Sequence, residues 1–462
     1  MAKKMITLKI DDRTVSAPEG TLVVDAAKLA GVNIPVFCYH PKMEPVGMCR
    51  MCLVDIGRPQ IDRATGQVVL QEDGTPKIQF GPKLETSCTV PVSEGMQVVT
   101  NSDKVKLARK DVVEFILTSH PLDCPVCDKG GECPLQNLTM SFGPGISRFV
   151  LDEKMHSAKH VPLGELIWLD RERCIQCGRC VRFQHEVVDD PVIGFHNRGR
   201  ALEIITMSEP GFDSIFSGNT SDICPVGALT TADFRFGARP WELKPAASIC
   251  NHCPVGCNLV YNVRREARAG GGAVIKRVLP RQNESVNEIW ICDKGRLGYH
   301  YAESAARLTQ PLLRKDGKLT PVTWDEALDQ AARKLKEANS VLGLAGGLLA
   351  NEDLFNLRRL VEGMGGKLLL HSYMAGGEFT LSHGLASGSN LGELGKGSVI
   401  VVAASDLHEE APIWWLRVKQ AAKRGARLVV IHARPTRLDA YASQVIRCAY
   451  GEEAQKLAGL LP

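Results

Sequence analysis

Cysteine is the residue type in this sequence with the clearest chemical potential. The chain has 16 cysteines, and fifteen of them lie in tight groups before residue 293. Disulfide frameworks are typical of small secreted domains, whereas grouped cysteines in a long chain favour metal ligation. His120 stands just before one group, and it raises the donors to sixteen, which is enough for four sites of four ligands.

The first set is Cys38, Cys49, Cys52 and Cys88, with the spacing C-x10-C-x2-C-x35-C. Three thiols share a loop and the fourth is remote, as in plant-type ferredoxins, although the first gap differs. Gly47 would let the loop approach an inorganic core closely. Soft thiolate donors suit iron, so we predict a [2Fe–2S] site, with structural zinc as the alternative.

The second set is His120, Cys124, Cys127 and Cys133, in which the histidine follows a predicted helix. A single histidine near a helix end is usually solvated or capping, but here it completes four donors at close spacing. We predict a [4Fe–4S] site whose neutral imidazole ligand should raise the reduction potential. A Cys3His zinc site is the chemical alternative.

The third set is Cys174, Cys177 and Cys180 with the distant Cys224, which precedes a proline. The CxxCxxC pattern with a remote Cys-Pro predicts a [4Fe–4S] cluster. A second cluster of the two-cluster ferredoxin type is not expected, because its ligand positions hold other residues, namely Gln184, Ser214, Ser217 and Thr220.

The fourth set is Cys250, Cys253, Cys257 and Cys292, again three thiols in one loop and one far away, and it predicts a further [4Fe–4S] site. The remaining cysteine, Cys448, is expected to be a buried, unreactive thiol.

The N-terminal elements that position the first two sets follow from short periodic patterns. Residues 4–10 and 14–17 predict a hairpin, and Thr21–Ala30 predicts a helix that buries Val23, Val24, Ala27 and Leu29. A second helix is predicted over Lys104–Thr118, with an inward face formed by Val105, Ala108, Val112, Phe115 and Ile116.

The pattern changes after Cys292 to strands alternating with helices, which predicts a mainly parallel sheet covered by helices. The predicted strands are Val341–Leu344, Lys367–His371, Ser398–Ala404 and Leu428–Ile431. Thr323 should cap one helix and Asn351 another, and a third helix is predicted over Ala411–Arg424, ended by Gly425.

Length and charge set the broad class. A chain of 462 residues predicts several domains rather than one core. The net charge is only +4, so nothing indicates nucleic acid or an anionic membrane as partner. The apolar runs are too short to span a bilayer, and Met1–Asp12 lacks a signal pattern, which predicts a mature cytosolic start and membrane contact only through partners.

The four motifs together resemble the large iron–sulfur subunit of respiratory NADH:quinone oxidoreductase, or complex I. The loop Phe216–Thr230 (FSGNTSDICPVGALT) and the segment Cys250–Cys257 (CNHCPVGC) are especially specific. The later segments RLTQPLLR and PVTWDEAL resemble the opening of a molybdopterin-oxidoreductase domain. Family members are usually longer, so the resemblance implies a short form with a truncated C-terminal domain, or a fold completed by a partner chain.

The resemblance implies an α+β then α/β architecture in five parts. These are a ferredoxin-like β-grasp [2Fe–2S] domain (1–98), a helical His/Cys3 segment (99–145), a bacterial-ferredoxin-like [4Fe–4S] domain (146–242), a [4Fe–4S] lead-in of molybdopterin-oxidoreductase type (243–300) and a partial α/β domain of that type (301–462).

The resemblance also implies the cofactors and partners: one [2Fe–2S] and three [4Fe–4S] clusters, with the fourth set off the main electron path. Electrons would come from the FMN/NADH-binding subunit, beside a thioredoxin-like [2Fe–2S] subunit, and leave through a two-cluster ferredoxin-like subunit toward quinone. The chain itself would carry clusters rather than a catalytic site, as a peripheral subunit on the cytoplasmic side of the bacterial inner membrane.

Three other functions compete with this interpretation. A molybdenum formate dehydrogenase shares these N-terminal domains, and Lys294 matches a lysine between cluster and pterin in such enzymes. We expect no molybdenum, because no cysteine lies between Cys292 and Cys448 and the serines Ser372 and Ser382 are weak candidates for the metal ligand. A diaphorase subunit of an NAD-reducing hydrogenase would end before Cys250, and a zinc-stapled scaffold would not need ferredoxin-like spacings.

Overall fold

The structure, a computed structural model, describes residues 4–209, 211–371 and 390–459. The chain divides into two compact units, the first ending at Lys244 and the second beginning at Pro245. Ser372 and Ser382, the weak candidates for a molybdenum ligand, lie outside the described residues.

The first unit begins with a mixed sheet that holds its own core. Met5–Ile10 pairs antiparallel with Arg13–Pro18, which confirms the predicted hairpin, and parallel with Gln97–Val99. Ile6, Leu8 and Ile10 alternate inward. The order across the sheet is Arg13–Pro18, Met5–Ile10, Gln97–Val99, Leu53–Pro59 and Ile78–Phe80, with Glu85–Thr86 also paired to Leu53–Pro59.

The first helix, Val23–Leu29, lies within the predicted span and contributes to this core. Val23, Val24 and Ala27 are buried as predicted. Leu29 is 64% exposed, so its predicted inward position is wrong, and Ala26 is buried instead. A helix this short buries only a narrow stripe of its surface, and Leu29 falls beyond it.

The helix Asp103–Ser119 confirms the second predicted helix and leads to the first donor of the second set. The Ser102 hydroxyl accepts a hydrogen bond from the Val105 N–H at 3.3 Å and caps the N-terminus. Phe115 is 77% exposed, so its predicted inward position is wrong. The helix ends at His120, which has extended backbone. The helix Pro134–Phe142 follows after a short 3-10 turn at Cys124–Val126.

The remainder of the first unit combines small sheets with short helices. One sheet joins Leu229–Thr231, Ile167–Leu169 and Val161–Pro162, and another pairs Ile193–His196 with Glu203–Thr206. The helix Arg179–Arg182 continues as a π-helix over Phe183–Val188, and Asn219–Ile223 is a short helix. Further 3-10 turns are Leu151–Glu153, Gly199–Ala201 and Pro240–Glu242.

The second unit opens with an antiparallel sheet that frames the fourth set. Its strands are Lys244–Ile249, Asn258–Arg265 and Ala273–Pro280, in that order. A 3-10 turn lies at Ala267–Ala269, between the second and third strands. The helix Asp293–Leu297 starts directly after Cys292, and a 3-10 helix follows at Gly298–Glu303.

The rest of the second unit has the predicted alternation of strands and helices. Leu342–Gly346 pairs parallel with Lys367–His371, and Val399–Ala403, Arg427–Ile431 and Gln444–Ile446 form a second parallel sheet. The described strands therefore form two small sheets rather than the single sheet expected. A hairpin joins Leu312–Lys315 to Lys318–Pro321. The helices are Trp324–Glu337, Asn351–Gly363, Leu407–Glu410, Pro412–Lys423 and Glu453–Ala458, with a 3-10 turn at Asp439–Tyr441.

Helix ends in this region test the predicted caps. Thr323 caps its helix by accepting from the Glu326 N–H at 3.2 Å, as predicted. Asn351 is the first residue of its helix rather than its cap, so that prediction is wrong by one position. Gly425, at φ +95°, follows the helix Pro412–Lys423, as expected for a residue that ends a helix. Within the described part of the chain, no helix combines the length and apolarity needed to cross a membrane.

Candidate iron–sulfur sites

The first set converges on the edge of the N-terminal sheet. Cys38, Cys52 and Cys88 are buried and Cys49 is half-buried. The Cys38 and Cys49 backbone N–H groups each donate to the other residue's sulfur, at 3.4 and 3.5 Å. Gly47 has φ +64°, which confirms that this loop turns through a conformation that favours glycine.

Thiol contacts within the first set favour the anionic form of some members. Hydrogen bonds from Cys49 and Cys88 hold the pKa of Cys38 far below its ordinary value, and a bond from Cys88 lowers the pKa of Cys52 to about 7. The same bonds raise the pKa of Cys49 and Cys88. Such a set would be neutralised by a cationic iron core, which binds thiolates rather than thiols.

The second set lines one open cavity of about 760 Å³. His120, Cys124, Cys127 and Cys133 all contribute to its wall. Burial lowers the pKa of His120 to about 4, so the imidazole is neutral at physiological pH. His120 Nδ1 is buried and has no hydrogen-bond partner within the described part of the chain. An unpartnered buried nitrogen beside three thiols fits a metal ligand.

A second loop fixes the backbone of the second set. The Arg239 guanidinium donates to the Cys127 carbonyl oxygen at 2.7 Å and to the Pro125 carbonyl oxygen. Gly131 has φ +95° and lies so close to Trp241 that a side chain there would clash. These contacts hold a loop that has little apolar core of its own.

An ion-pair network lies beside the second set, and the sequence alone did not indicate it. Asp123 Oδ2 accepts from Lys159 Nζ at 2.6 Å and from Arg173 Nε at 2.9 Å. Lys159 also pairs with Glu172 at 2.7 Å, and Arg173 with Asp170 at 3.3 Å. Burial raises the pKa of Asp123, but its two cationic partners outweigh that effect and the net shift is downward.

The third set lines one small, mainly apolar cavity. Cys174, Cys177, Cys180 and Cys224 all contribute, with Ile204, Val226 and Leu229 among their neighbours. Burial raises the pKa of Cys174 to about 12 and that of Cys177 to about 11, and it raises the pKa of Cys180 as well. Because burial disfavours the thiolate form, these thiols need a compensating cationic group in order to ionise.

The loop after Cys224 also forms part of the second site. A Cβ on Gly227 would overlap the Cys127 sulfur, which real Cβ atoms avoid by keeping at least 3.0 Å. The Cys133 thiol donates to the Pro225 carbonyl oxygen at 3.7 Å. The second and third sets therefore share one short backbone segment, and only a residue without a side chain fits at position 227.

The fourth set lies in the second unit and also lines one small cavity. Cys250, Cys253, Cys257 and Cys292 share it with Lys294 and other residues. The Cys250 N–H donates to the Cys257 carbonyl oxygen at 2.8 Å, which closes the ligand loop.

Close packing at Gly295 brings the remote ligand of the fourth set to the others. A Cβ there would lie 3.3 Å from Cys250 Sγ and 3.8 Å from Cys292 Sγ. Burial raises the pKa of Cys257 and of Cys292, the latter to about 11. The remaining thiol, Cys448, is only half-buried, so the prediction that it is buried is wrong.

The described residues were also searched for donors grouped around a single metal ion. Across residues 4–209, 211–371 and 390–459, no three or more His, Cys, Asp or Glu side chains are grouped to hold one metal ion. A zinc ion would need its donors within about 2.3 Å of one point.

Family models match consecutive parts of the chain. They are the 2Fe-2S iron-sulfur cluster binding domain (3–103), the NADH-ubiquinone oxidoreductase-G iron-sulfur binding region (109–148), the ferredoxin-like domain of NADH-quinone oxidoreductase subunit 3 (164–230), the NDSU1/NuoG-like 4Fe-4S domain (244–300) and molybdopterin oxidoreductase (307–452).

Curated relatives cover most of this chain. An NADH-quinone oxidoreductase subunit of Streptomyces coelicolor is 38% identical over 99% of this chain and 54% of its own length. Subunit 3 of the Thermus thermophilus enzyme is 45% identical over 72% of this chain and 43% of its own. The chain belongs to the family of large iron–sulfur subunits of NADH-quinone oxidoreductase. It spans about half the length of the curated relatives it matches.

Membership of this family confirms the order of parts predicted from the motifs. A [2Fe–2S] domain, [4Fe–4S] domains that include a ferredoxin-like one, and a molybdopterin-oxidoreductase domain follow one another, in a mixed α/β chain. A crystal structure of NAD+-reducing [NiFe]-hydrogenase in the H2-reduced state is 29% identical and covers 50% of this chain and 90% of that chain, with a TM-score of 0.40.

Proposed function

We propose that this chain relays electrons within an NADH:quinone oxidoreductase, without a substrate site of its own. It would hold one [2Fe–2S] cluster on the first set and one [4Fe–4S] cluster on each of the other three. When bound, these clusters supply one-electron carriers whose potentials the protein tunes. The five domain bounds predicted from the sequence, with a β-grasp fold for residues 1–98, form part of this proposal.

The observation that carries the proposal is the contact between neighbouring donor sets in the first unit. The second and third sets share the segment Pro225–Gly227, and side chains next to the third set reach the loop of the first. A scaffold of independent zinc sites has no need for such adjacency, whereas electron transfer requires carriers at short separation. The order along this route is first set, third set, second set.

The surface beside the second set supports an exit for electrons there. Cys124 is exposed, and around it Leu122, Met140 and Trp241 are also exposed, with Met140 at 87%. Exposed apolar groups in such a patch are typical of a protein contact. The proposed partner here is the two-cluster ferredoxin-like subunit, and the FMN/NADH-binding and thioredoxin-like [2Fe–2S] subunits would lie at the entry side.

The fourth set supports a different role because it belongs to the second unit. We place its cluster off the main route, where it would stabilise the fold of that unit, since ligand loops with little core depend on their metal. The proposed location is the cytoplasmic face of the bacterial inner membrane, with membrane contact only through partner subunits.

Two substitutions in the assembled complex test this division. Cys177→Ala removes a ligand on the main route and should abolish NADH-driven quinone reduction. Cys253→Ala should remove one EPR signal while turnover per assembled complex stays close to wild type. Full activity in the first variant, or a complete block with normal assembly in the second, would contradict the proposed route.

A further inference from the structure

One arginine side chain joins the ligand loops of two donor sets. Arg179 lies between Cys177 and Cys180, yet its guanidinium reaches away from this loop. It donates to the Ile223 carbonyl oxygen at 3.2 Å and to the Tyr39 carbonyl oxygen at 2.5 Å. Ile223 directly precedes the remote ligand of the third set, and Tyr39 directly follows Cys38 of the first. Arg179 therefore bridges both sets.

A second arginine strengthens the same junction from one helical turn further on. Arg182 donates to the Glu44 carbonyl oxygen at 2.6 Å and to the Cys38 carbonyl oxygen. Both acceptors belong to the loop of the first set. Because residues three apart share a helix face, the helix Arg179–Arg182 presents both side chains toward that loop.

The positive charge of Arg179 lies near thiols of both sets. Burial lowers its pKa, whereas the thiolates of Cys177 and Cys224 in the third set, then those of Cys38 and Cys49 in the first, act to raise it. A guanidinium stays charged in proteins, so the site holds a permanent cation. The Nε atoms of Arg179 and Arg182 are buried without a hydrogen-bond acceptor in the part of the chain that the structure describes.

We propose that Arg179 is a positioning residue that raises the reduction potentials of both the first and the third cluster, and that Arg182 does so for the first. This inference rests on the proposed electron-transfer function. Reduction adds a negative charge to a cluster, and a nearby fixed cation in a poorly solvated site stabilises that charge.

The test is a potentiometric EPR titration of the cluster-loaded chain, which reads out each cluster without turnover. In Arg179→Gln, the reduced-to-oxidised ratio of both clusters at a fixed potential should fall about tenfold, equal to 59 mV for a one-electron couple. Arg179→Lys keeps the charge and should recover at least half of this shift. Arg182→Gln should shift the first cluster and leave the third unchanged. Arg198→Gln, at an exposed position of the same unit, is the matched control and should shift neither.

The outcomes separate this inference from the proposed function. A wild-type chain without cluster signals would contradict the proposed function itself. Wild-type signals with unshifted potentials in Arg179→Gln would overturn only the role of the arginine, and so would a weaker signal at an unchanged potential, which indicates a purely structural contact. If Arg179→Gln does not load clusters, Arg182→Gln decides: a shift confined to the first cluster supports the inference, and no shift overturns it.

Discussion

Gly227→Ala should damage the second cluster site while sparing the third. The new methyl group would overlap the Cys127 sulfur and lie 3.3 Å from the Lys129 Cβ atom. Relief requires a displacement of roughly 1 Å at the sulfur or the loop, which exceeds the ~0.5 Å tolerance of a preorganised site. Cys224, three residues earlier, keeps its place in the third set.

Overpacking of this kind costs about 1–3 kcal/mol. If that strain falls on cluster binding, the affinity of the second site should drop about 5- to 150-fold. The assay is low-temperature EPR of the reduced chain together with its iron content. We expect the signal of the second cluster to weaken or change shape while that of the third stays intact.

The matched control is Gly145→Ala, because a Cβ at Gly145 meets no atom within 4 Å and no positive φ disfavours it. This variant should retain every signal. An unaltered second-cluster signal with full iron content in Gly227→Ala would refute the shared-segment geometry. Equal loss of both signals would also refute it, since the clash at Gly227 involves residues of the second site alone.

Three further predictions concern other contacts. His120→Cys should keep a cluster but lower its potential in an EPR titration, because an anionic thiolate replaces a neutral imidazole; an unchanged or higher potential would contradict histidine ligation. Lys159→Gln should lower the free energy of unfolding by about 1–2 kcal/mol at pH 7 after allowance for solvent screening. Burial raises the pKa of Glu172, but the hydrogen bond from Lys159 helps to outweigh this effect and the net pKa lies below the ordinary 4.5. The resulting stability is present above pH 4.5 and is lost as pH falls through the lowered pKa, so the variant should lose less stability than wild type on thermal unfolding between about pH 5 and about pH 3, and parallel losses would refute this. Arg417→Ala removes a buried 2.6 Å ion pair with Glu288, which should destabilise the surrounding structure by about 3–5 kcal/mol. Amide hydrogen exchange in the helix Pro412–Lys423 should therefore become faster; unchanged protection would show that the pair contributes little.

The sequence predicted local features well because their cause is local. Three ligands of the third set fall within seven residues, so their spacing alone brings them together. The hairpin and the helix Asp103–Ser119 follow from residue periodicity. Each of these depends on neighbours within a few turns of the chain.

Features set by packing between distant segments could not be predicted in this way. Arg179 and Tyr39 are 140 residues apart, and nothing in either local pattern indicates that they meet. Gly227 looks like an ordinary loop glycine until Cys127 is placed against it. Periodicity likewise identifies the apolar stripe of a helix but not how much of that stripe other segments bury. This explains why Leu29 and Phe115 are exposed.

The charged residues next to the ligands are visible in the sequence, but they form no motif that would identify them. Asp123 directly precedes Cys124, and Arg173 directly precedes Cys174, so both positions were adjacent to predicted donors. The two residues are 50 positions apart in the sequence, so their ion pair is revealed only by the folded chain. Adjacency to a ligand is thus a useful signal for candidates, although it does not identify their partners.

Iron and acid-labile sulfide analysis of the chain, purified without oxygen, tests the central claim most directly. Occupation of all four donor sets predicts a brown protein with about fourteen iron and fourteen sulfide per chain. A colourless protein that contains zinc and no labile sulfide would contradict the account.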